Sequence, residues 1–599
     1  MSSFSFIPDI PKGKGWEAWK TYAWFLRYAY ASSPARTALL FLLMLIAPVS
    51  AAGLLWATKW LIDGISAGAQ TSVYPLFAVM MGIVVLQIVS ERLRDYVRDT
   101  SRLLLDFRTK QDLLVHLKGL DPAMIEHPRF QAVYHALEEK RGDLLGIAQE
   151  GYWLIFCFIE FLGFASVLFL LPWWLCALMF LPLVALMYSL RFEKNWSWGI
   201  LNYESREGRR GSYYKDVLLM QSWMQHRWTL GLHQLFYQKW HQIFKKGLDL
   251  RLRESGLRVR SYSLSDIALL IGYIGGGFTL LREAVQTGSV SSLVIFFPAY
   301  QALTWRFSTF ISTYGWLQRQ LAVPQLFRLI LSLPVRVEGR KLLPKQPLQI
   351  VFDHVSFSYP DSAQEILHDL CLTLREGEYT ALVGLNGAGK STFLKLLAGI
   401  YRPTSGRILV NGIPLESIRS DAWVQALGYM NQDVPKFEDT VQNIIRYGNP
   451  TAPWGKRAKE ALRVSGFDDI LASFPRIDQT YIGRTHNMPE DEPIDLSGGQ
   501  RQLLMIAQTL FRPARVLIFD EPTSAVDAEK EDAFFSKLPG AVEGRLCMVV
   551  SHRFSVLRRA ERILVMDAGK IIEDGSHEEL IAKEGRYAEL FALQAKMYN

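Results

Sequence analysis

The stretch "YTALVGLNGAGKSTFLKLLAGI", residues 379–400, decides the fold of the C-terminal half of this chain. Its apolar start predicts a buried strand, "LNGAGK" predicts a glycine-rich loop, and "STFLKLLAGI" predicts a helix, which is the context that a phosphate-binding P-loop requires. The N–H groups of such a loop and of the helix N-terminus point at phosphate oxygens. Lys390 can reach the β and γ phosphates of a nucleotide, and the Ser391 hydroxyl can ligate Mg²⁺. The predicted nucleotide contacts are Asn386, Gly387, Gly389, Lys390, Ser391 and Thr392.

A second apolar strand, "ARVLIFDEP" at 514–522, ends in two carboxylates. Asp520 at the strand end fits a partner of Mg²⁺, either as a ligand or through a bridging water. Glu521 points the other way and could polarise an attacking water as a general base. Two acids that merely cap a strand are the structural alternative, and the P-loop upstream argues against it.

The stretch "LSGGQRQ", residues 496–502, resembles a second phosphate cradle, because a glycine pair precedes a helical run. One nucleotide needs only one cradle, and the P-loop already supplies it. Backbone N–H groups and a helix dipole at this point suit an anion. The residues predicted to form the second cradle are Ser497, Gly498, Gly499 and Gln500.

Three single residues are further candidates, each with a plain structural alternative. Tyr359, in "VSFSYP", could stack on an adenine ring or be an ordinary aromatic at a strand end. Gln432, in "YMNQD", could contact the metal or the attacking water, or be an idle loop glutamine. His552, in "VVSHRF", could hydrogen-bond a γ-phosphate or be simply solvated. Their order along the chain favours the functional interpretation of all three.

The N-terminal half contains long uncharged stretches of the kind that cross membranes. Half of the 599 residues are hydrophobic although 21% are charged, and the mean hydropathy is +0.09. A span needs roughly 20 apolar residues. Residues 151–190 hold two spans separated by "LPWW" at 171–174, and "GGG" at 275–277 interrupts the fifth. The sequence predicts six spans, within 37–58, 64–90, 151–190 (two), 267–281 and 284–305, with Arg282 and Glu283 parting the last two.

The distribution of basic residues predicts the orientation of these spans. The long hydrophilic stretches at about 91–150 and 191–261 are rich in Arg and Lys, whereas the short loops are poor in them. The positive-inside tendency then places both termini in the cytoplasm, and we expect a bacterial inner membrane. Before the first span, "WEAWKTYAWFLRYAY" (16–30) predicts an amphipathic helix on the inner surface.

Two segments interrupt the helical pattern of the long cytoplasmic stretches. They are "LDPAMIEHPRFQ" (120–131) and "HRWTLGLHQ" (226–234), at the tips of predicted helical hairpins. They are either contact points for a cytoplasmic unit or plain turns between helices.

Two charged residues lie within predicted spans. Glu160 in the third span and Arg306 at the inner part of the sixth are costly in lipid. They either contact a substrate or form an ion pair with each other.

A polar connector, "VRVEGRKLLPKQP", predicts the domain boundary. Residues 1–334 then form the membrane domain, 335–347 the linker and 348–599 the nucleotide domain. The net charge of +8 agrees with basic residues flanking spans, and the absence of basic blocks interleaved with aromatics argues against nucleic-acid binding. The four cysteines lack CxxC spacing, so that neither a metal site nor a disulfide framework is indicated.

Taken together, these motifs closely resemble the ATPase domain of ABC transporters, and the whole chain resembles an exporter half-transporter. The resemblance implies a fold of six long membrane helices, as an all-α bundle, joined to an α/β P-loop domain. It makes Tyr359 the A-loop residue, Gln432 the Q-loop, "LSGGQ" the signature and Glu521 the catalytic base. It also makes Asp527 the D-loop residue and His552 the switch histidine, and the two hairpin tips become coupling helices.

The resemblance also explains the second cradle. In this family the signature contacts the γ-phosphate of ATP held by a second nucleotide domain, packed head to tail. Because every motif is intact, a homodimer is expected, although a heterodimer would also satisfy the pattern. One departure is Arg484, which stands where exporters usually have a glutamate, followed by the longer stretch "THNMPEDEPID". The acids at 490–492 either meet His226 and Arg227 of the second tip or form a solvated loop.

The expected function is ATP-driven export by alternating access, with ATP and Mg²⁺ as cofactors and with membrane lipids and a second copy as partners. An ATP-gated channel or regulator on the same frame, and a flippase of lipids or lipid-linked glycans, are the alternatives. A soluble ABC ATPase is disfavoured by the fused spans, and an importer usually keeps spans and ATPase on separate chains. Drugs, lipids, lipid-linked sugars and peptides remain open as substrates.

Overall fold

The computed structural model describes residues 15–66, 70–165, 207–208, 210–220, 223–288, 290–360, 362, 364–483, 493–551, 553 and 557–598. Contacts between residues divide the described chain into two compact units. The helical unit extends from residue 15 to Leu333 without Gly119–Phe130, and the α/β unit consists of Gly119–Phe130 and the chain from Pro334 onward. The first hairpin tip, which the sequence placed in the membrane domain, is therefore part of the α/β unit.

Long helices make up the helical unit. Segments long and apolar enough to cross a membrane occur in four of the described helices, at Pro34–Ser66, Val73–Gly119, Pro128–Phe161 and Asp266–Thr287. They correspond to the predicted first, second, third and fifth spans. The predicted fourth span falls within residues 166–190, outside the described part, and the described helix Ser291–Gln320, where the sixth was predicted, is not one of the four. Six spans therefore remain a prediction. The helices up to Ser332 whose two ends are described are α1 (Gly15–Ser32), α2 (Pro34–Ser66), α3 (Gln70–Gly119), α4 (Pro122–Ile125), α5 (Pro128–Ala165), α6 (Met224–Thr229), α7 (His233–Thr287), α8 (Ser291–Gln320) and α9 (Ala322–Ser332), and residues 210–219 are also helical.

The turn between α7 and α8 is not at Arg282 and Glu283, where the sequence placed it. Both residues are exposed on the surface of α7, which continues to Thr287. Helix α7 ends where Gly288 adopts the left-handed conformation (φ 74°) and donates its N–H to Ala284 O at 2.8 Å. The prediction was wrong because charges do not end a helix when they can face outward, whereas a glycine in this conformation does.

The glycines of α7 do not interrupt this helix but bring it close to α8. A Cβ at Gly272 would lie 1.9 Å from Tyr300 Oη, and one at Gly276 would lie 2.3 Å from Phe296 Cζ. The aromatic rings of α8 thus pack directly on the backbone of α7. Small residues are used for close helix packing in membranes, so that the "GGG" stretch is a packing surface.

Helix α1 confirms the predicted amphipathic helix, but its apolar face packs on protein. Ala18, Tyr22, Phe25 and Ala29 are buried at helical spacing. The rings of Phe25 and Phe327 of α9 meet edge to face at 6.3 Å, and Tyr22 Oη donates to Ile147 O at 3.2 Å. These contacts within the helical unit occupy the face that a membrane surface would have covered.

Glu160 and Arg306 form an ion pair inside the helical unit. Arg306 Nε lies 2.6 Å from Glu160 Oε2, and the side chains are 19% and 3% exposed. The guanidinium groups of Arg306 and Arg94 approach the Phe156 ring, at 6.0 and 5.2 Å from its centroid. Of the two interpretations of Glu160 and Arg306, the structure shows the ion pair.

The α/β unit contains a six-stranded sheet in the order β12-β11-β3-β10-β9-β6, in which all neighbours are parallel except β11 and β12. A four-stranded antiparallel sheet has the order β2-β1-β4-β5, and β7 pairs with β8. The strands are β1 (Gln349–Ser358), β2 (Glu365–Arg375), β3 (Tyr379–Val383), β4 (Ser405–Val410), β5 (Ile413–Pro414), β6 (Leu427–Met430), β7 (Asp439–Thr440), β8 (Tyr481–Ile482), β9 (Val516–Asp520), β10 (Leu546–Val550), β11 (Arg562–Asp567) and β12 (Lys570–Gly575).

Strands β3, β9 and β10 are buried at every position, as expected for parallel strands in the centre of a sheet. Their carboxyl ends lie at one edge, where open α/β sheets bind ligands. The helices of this part are α10 (Lys390–Leu397), α11 (Ser420–Ala426), α12 (Val441–Arg446), α13 (Lys456–Ser465), α14 (Asp468–Ala472), α15 (Gly498–Phe511), α16 (Ala528–Val542), α17 (His577–Ala582) and α18 (Arg586–Tyr598).

Candidate functional site

The P-loop connects the buried strand β3 to the N-terminus of α10, as predicted. Gly387 (φ 82°) and Gly389 (φ 103°) adopt conformations that L side chains rarely take, and a Cβ at Gly389 would lie 2.8 Å from Leu367 Cδ2. Lys390 Nζ donates to the carbonyls of Gly384 (2.7 Å) and Leu385 (2.9 Å) of the same loop. Burial lowers the pKa of this ammonium group, and the charges of the nearby carboxylates act in the opposite direction.

Ser391 and Asp520 are brought together by the parallel sheet. Asp520 ends β9, is 4% exposed and accepts a hydrogen bond from the Ser391 side chain. Burial raises the pKa of the Asp520 carboxyl to about 6, although the Ser391 hydrogen bond and the Lys390 charge lower it. Hydroxyl and carboxylate oxygens are ligands that Mg²⁺ prefers. The pair therefore fits the predicted metal role.

Gln432 and Glu521 also meet at this edge. Strands β6 and β9 are parallel neighbours, and Gln432 Nε2 donates to Glu521 Oε2 at 3.0 Å. Glu521 has a φ of 48°, and its N–H donates to Val550 O of β10 at 3.1 Å. A non-glycine residue in the left-handed region is strained by roughly 1–3 kcal/mol and is common at functional sites. In this backbone conformation the Glu521 carboxylate reaches the side-chain amide of Gln432.

Tyr359 lies beside the start of α10. Its hydroxyl shares a hydrogen bond of 3.0 Å with Thr392 Oγ1, and its ring meets those of Phe357 and Tyr401 edge to face, at 5.1 and 5.3 Å. The structure thus brings the predicted A-loop residue to the helix that carries the P-loop lysine.

The signature residues form the N-terminus of α15. Ser497 and Gln500 make a capping box, in which Ser497 Oγ accepts from Gln500 N (3.2 Å) and Gln500 Oε1 accepts from Ser497 N (2.9 Å). A Cβ at Gly499 would lie 2.5 Å from Ala525 O. The capping box uses the N–H groups of Ser497 and Gln500, so that the N–H groups of Gly498 and Gly499 are the ones suited to hold an anion.

Gln502 connects the signature helix to the D-loop, and Asp527 caps the helix that follows the D-loop. Gln502, which the sequence reasoning missed, donates to Ser524 Oγ (2.8 Å) and accepts from Ala525 N (2.9 Å). Asp527 is the N-cap of α16 and accepts from Lys530 N at 3.0 Å, which lowers the pKa of its carboxyl. Gln502 is the second residue after "LSGGQ", and its role depends on contacts with residues 22 and 23 positions further along the chain.

Two predicted features lie outside the described residues, namely His552 and the stretch 484–492 that contains Arg484 and the three acids. Next to His552, Arg553 forms an ion pair with the buried Glu531 of α16. The second hairpin tip is described, and its helix α6 has no buried residue.

The first hairpin tip is bound within the α/β unit by contacts that the sequence did not reveal. Ala123 and Met124 of α4 are buried. Glu126 Oε2 accepts hydrogen bonds from Tyr401 Oη (2.8 Å) and Lys395 Nζ (3.0 Å). Tyr401 also touches Tyr359, so that one chain of contacts joins Thr392, Tyr359, Tyr401 and the tip. Of the two interpretations of this tip, the structure shows a contact segment, which packs in the α/β unit, and not a plain turn.

Comparisons with known proteins agree with this site. The family model described as ABC transporter matches residues 367–524. An ATP-dependent lipid A-core flippase of Methylobacillus flagellatus is 34% identical over 365 residues, and the match covers 60% of this chain and 60% of that protein. A protein of the same name from Paraburkholderia xenovorans is 38% identical over 282 residues, 46% of each chain. The matches thus span between about half and three-fifths of these relatives.

A solved structure of a bacterial Atm1-family ABC exporter with ATP bound covers 94% of this chain and 98% of its own. It superimposes with a TM-score of 0.78 at 24% sequence identity, and this likeness is one of fold.

The fold and the site define the ABC class of proteins, in which a P-loop, a signature helix and a strand-end carboxylate pair occupy one α/β domain. Residues 367–524 match the ABC transporter family model, and the chain has the fold of an ABC exporter, in which a helical region with apolar helices is joined to a nucleotide-binding domain. The predicted resemblance and fold class are confirmed. The nucleotide-binding domain implies ATP binding, and the apolar helices make this an integral membrane protein.

Proposed function

We propose that two copies of this chain form an ATP-driven exporter that works by alternating access. The observation that carries the proposal is the hydrogen bond between Gln432 and Glu521, which follow the adjacent parallel strands β6 and β9. Asp520, the neighbour of Glu521, accepts a hydrogen bond from Ser391 at the same place. A hydrolytic site needs a base for water next to a metal site and a phosphate cradle. All three are supplied here by one sheet edge.

Each residue has a role in this proposal. Glu521 accepts the proton of the attacking water, and the Gln432 amide holds the carboxylate in place until nucleotide arrives. Lys390 exchanges its two loop carbonyls for phosphate oxygens. Ser391 and Asp520, with Gln432 nearby, would hold Mg²⁺, which neutralises phosphate charge when bound. Tyr359 stacks on the adenine ring, and His552 donates to the γ-phosphate.

The site is completed by a second chain. The N-terminus of α15 offers the N–H groups of Gly498 and Gly499 to an anion, whereas the side chains of Ser497 and Gln500 each accept a hydrogen bond from the other residue's backbone N–H. Gln502 hydrogen-bonds to Ser524 and Ala525, in the segment that leads to Asp527, so that a movement of α15 would also displace that segment. In the proposed dimer, Ser497, Gly498 and Gly499 of one chain hold the γ-phosphate at the partner's P-loop. Because all motifs are intact, a homodimer with two working sites is preferred.

The membrane arrangement is proposed as six spans in a bacterial inner membrane, with both termini and the nucleotide domain in the cytoplasm. The four apolar helices and the bacterial relatives support this proposal. Residues 1–334 would form the membrane domain and 348–599 the nucleotide domain. The tip at Gly119–Phe130, together with the second tip, would transmit nucleotide-driven movement to the spans.

For the substrate, we favour a lipid with an anionic head group. The relatives are named lipid A-core flippases. In the helical unit, Arg94 and Arg306 lie against Phe156, with side chains only 11% and 19% exposed. The partner of Arg94 is Glu91, which is 60% exposed and so holds it weakly. The phosphate of a lipid head group could replace Glu91 as the partner of Arg94, while Arg306 stays paired with Glu160.

The test is ATP-dependent movement of a fluorescent anionic lipid between leaflets of proteoliposomes that contain the purified full-length chain. Wild-type protein is expected to move the lipid and to hydrolyse ATP faster in its presence. Arg94→Ala is expected to lose most of that stimulation, whereas Arg92→Ala, at an exposed neighbouring position, is expected to keep it. ATP-dependent ion conductance without lipid movement would support a channel instead.

A further inference from the structure

Three metal-ligating side chains meet on the antiparallel sheet of the α/β unit, away from the P-loop. His354 lies on β1, and Asp369 and Cys371 lie on β2. His354 Nδ1 is 2.7 Å from Asp369 Oδ1 and 3.5 Å from Cys371 Sγ, and the three donor atoms lie within 4.8 Å of one another. All three residues are exposed, so that a dissolved ion has direct access.

Strand pairing explains why the sequence did not reveal this cluster. Asp369 and Cys371 are two residues apart on β2 and so share one face. The register between β1 and β2 shifts between Phe352–Leu372 and Val355–Leu370, and His354 (φ 50°) and Asp369 (φ 49°) both adopt left-handed backbone at this irregularity. The bulged strand turns the imidazole toward the two β2 side chains. Cysteine spacing alone had argued against a metal site.

We propose that His354, Asp369 and Cys371 form a Zn²⁺ site with water as the fourth ligand. Imidazole, carboxylate and thiolate are the ligands of Zn²⁺, and three protein ligands with one open position are an established arrangement. Tetrahedral bonds of about 2.0–2.3 Å place neighbouring donors about 3.5 Å apart. The distance from Nδ1 to Sγ already fits, and the distance from Nδ1 to Oδ1 needs to widen by about 1 Å, which exposed side chains permit.

The surrounding charges favour a divalent cation. A carboxylate and a thiolate together neutralise Zn²⁺, and Asp353 adds negative potential at His354. Arg407 Nε donates to Asp353 Oδ2 at 3.2 Å, so that this guanidinium is paired with Asp353. The soft thiolate selects against Mg²⁺ and Ca²⁺, which prefer oxygen ligands. The ion would join β1 to β2 and stabilise this sheet independently of ATP binding.

The test uses the full-length protein in detergent or nanodiscs, with metal removed by a chelator and then titrated. With Co²⁺ as a spectroscopic probe, wild-type protein is expected to show the thiolate-to-metal charge-transfer band and the visible bands of a tetrahedral ion. One Zn²⁺ per chain is expected to remain after desalting, and to be displaced only by a competing chelator. Mg²⁺ in excess is not expected to remove the Zn²⁺.

Substitutions locate the site. Cys371→Ser is expected to abolish the charge-transfer band, and His354→Ala is expected to abolish retention of Zn²⁺. The matched control is His368→Ala, because His368 is a partly exposed histidine on β2, the strand of Asp369 and Cys371, and also contacts a carboxylate, Glu365 Oε2 at 3.1 Å. The proposal is overturned if wild-type protein shows no thiolate band, or if Cys371→Ser and His354→Ala retain as much Zn²⁺ as His368→Ala does.

Discussion

The side-chain amide of Gln432 donates a hydrogen bond of 3.0 Å to the carboxylate of Glu521. The bond joins the ends of β6 and β9, and it holds a carboxylate whose own backbone is in the left-handed region (φ 48°). The surrounding strands therefore hold this base in a backbone conformation that the residue would not adopt by itself. Substitution of Glu521 tests its role as the base.

Glu521→Gln is expected to leave ATP binding intact and to lower steady-state ATPase activity by about 10²-fold or more, because an amide cannot accept the proton of water. The ATP-bound closed dimer is expected to accumulate and transport to stop. ATPase assays and nucleotide-binding titrations check this. Glu543→Gln, at an exposed acid of the same unit, is the control. Near-normal ATPase activity in Glu521→Gln would remove Glu521 from the role of base.

Two substitutions at Ser497 separate capping from phosphate binding. Ser497→Ala removes the acceptor for Gln500 N and is expected to lower the free energy of unfolding by about 1 kcal/mol while ATP-driven closure persists. Ser497→Arg places bulk and positive charge over the N–H groups of α15 and is expected to abolish closure, although the nucleotide still binds the P-loop. Distance measurements between two labels in the dimer report closure. Closure of Ser497→Arg at wild-type ATP concentrations would refute the proposed second cradle.

The contact between Glu126 and Tyr401 is expected to serve coupling rather than stability. Glu126 is about half exposed, and its pair with Lys395 is worth only about 0–1 kcal/mol. Glu126→Gln and Tyr401→Phe are each expected to keep basal ATPase activity but to lower the amount of substrate moved per ATP. The double variant should show less than the sum of the two effects, because both changes break one hydrogen bond.

Glu139→Gln, at an exposed acid of α5, the helix that follows Glu126 in the chain, is the control for this coupling experiment. Unchanged transport per ATP in both single variants would show that the Glu126 contact is only a packing feature.

Arg515 is expected to anchor the linker that precedes the nucleotide domain. Its guanidinium donates to Glu376 Oε1 (2.8 Å) and to the Pro344 carbonyl (2.6 Å), and the two charged side chains are 26% and 13% exposed. Arg515→Ala leaves Glu376 partly buried without its partner and is expected to cost about 2 kcal/mol of unfolding free energy. Arg463→Ala, which breaks an exposed pair with Glu460, should leave the free energy of unfolding nearly unchanged. Chemical denaturation compares the two.

The same pair predicts a pH dependence. Burial alone would raise the pKa of Glu376, but hydrogen bonds from Arg515 and from Leu348 N outweigh it and lower that pKa. The stabilisation is therefore present above the ordinary carboxyl pKa of about 4.3 and is lost as the pH falls through the lowered value. The stabilities of wild type and Arg515→Ala should converge in acid. A difference that stays constant down to pH values below that range would contradict this origin.

The sequence by itself determined the features that depend on short stretches of chain. The P-loop, the strand that ends in Asp520 and Glu521, and the glycine pair before α15 were recognisable because backbone conformation and strand burial follow from neighbouring residues. The apolar helices were recognisable because a span of lipid requires a long uncharged run.

Tertiary structure decided which distant residues meet. The sequence placed the turn before α8 at two charged residues, whereas the end of α7 depended on the left-handed Gly288 and on rings packed against Gly272 and Gly276. The contact of Glu126 with Tyr401 and the cluster of His354, Asp369 and Cys371 have no pattern in sequence. They exist because a hairpin tip packs in the α/β unit and because two strands pair with an irregular register, and such long-range packing is set by the whole fold and not by any short stretch.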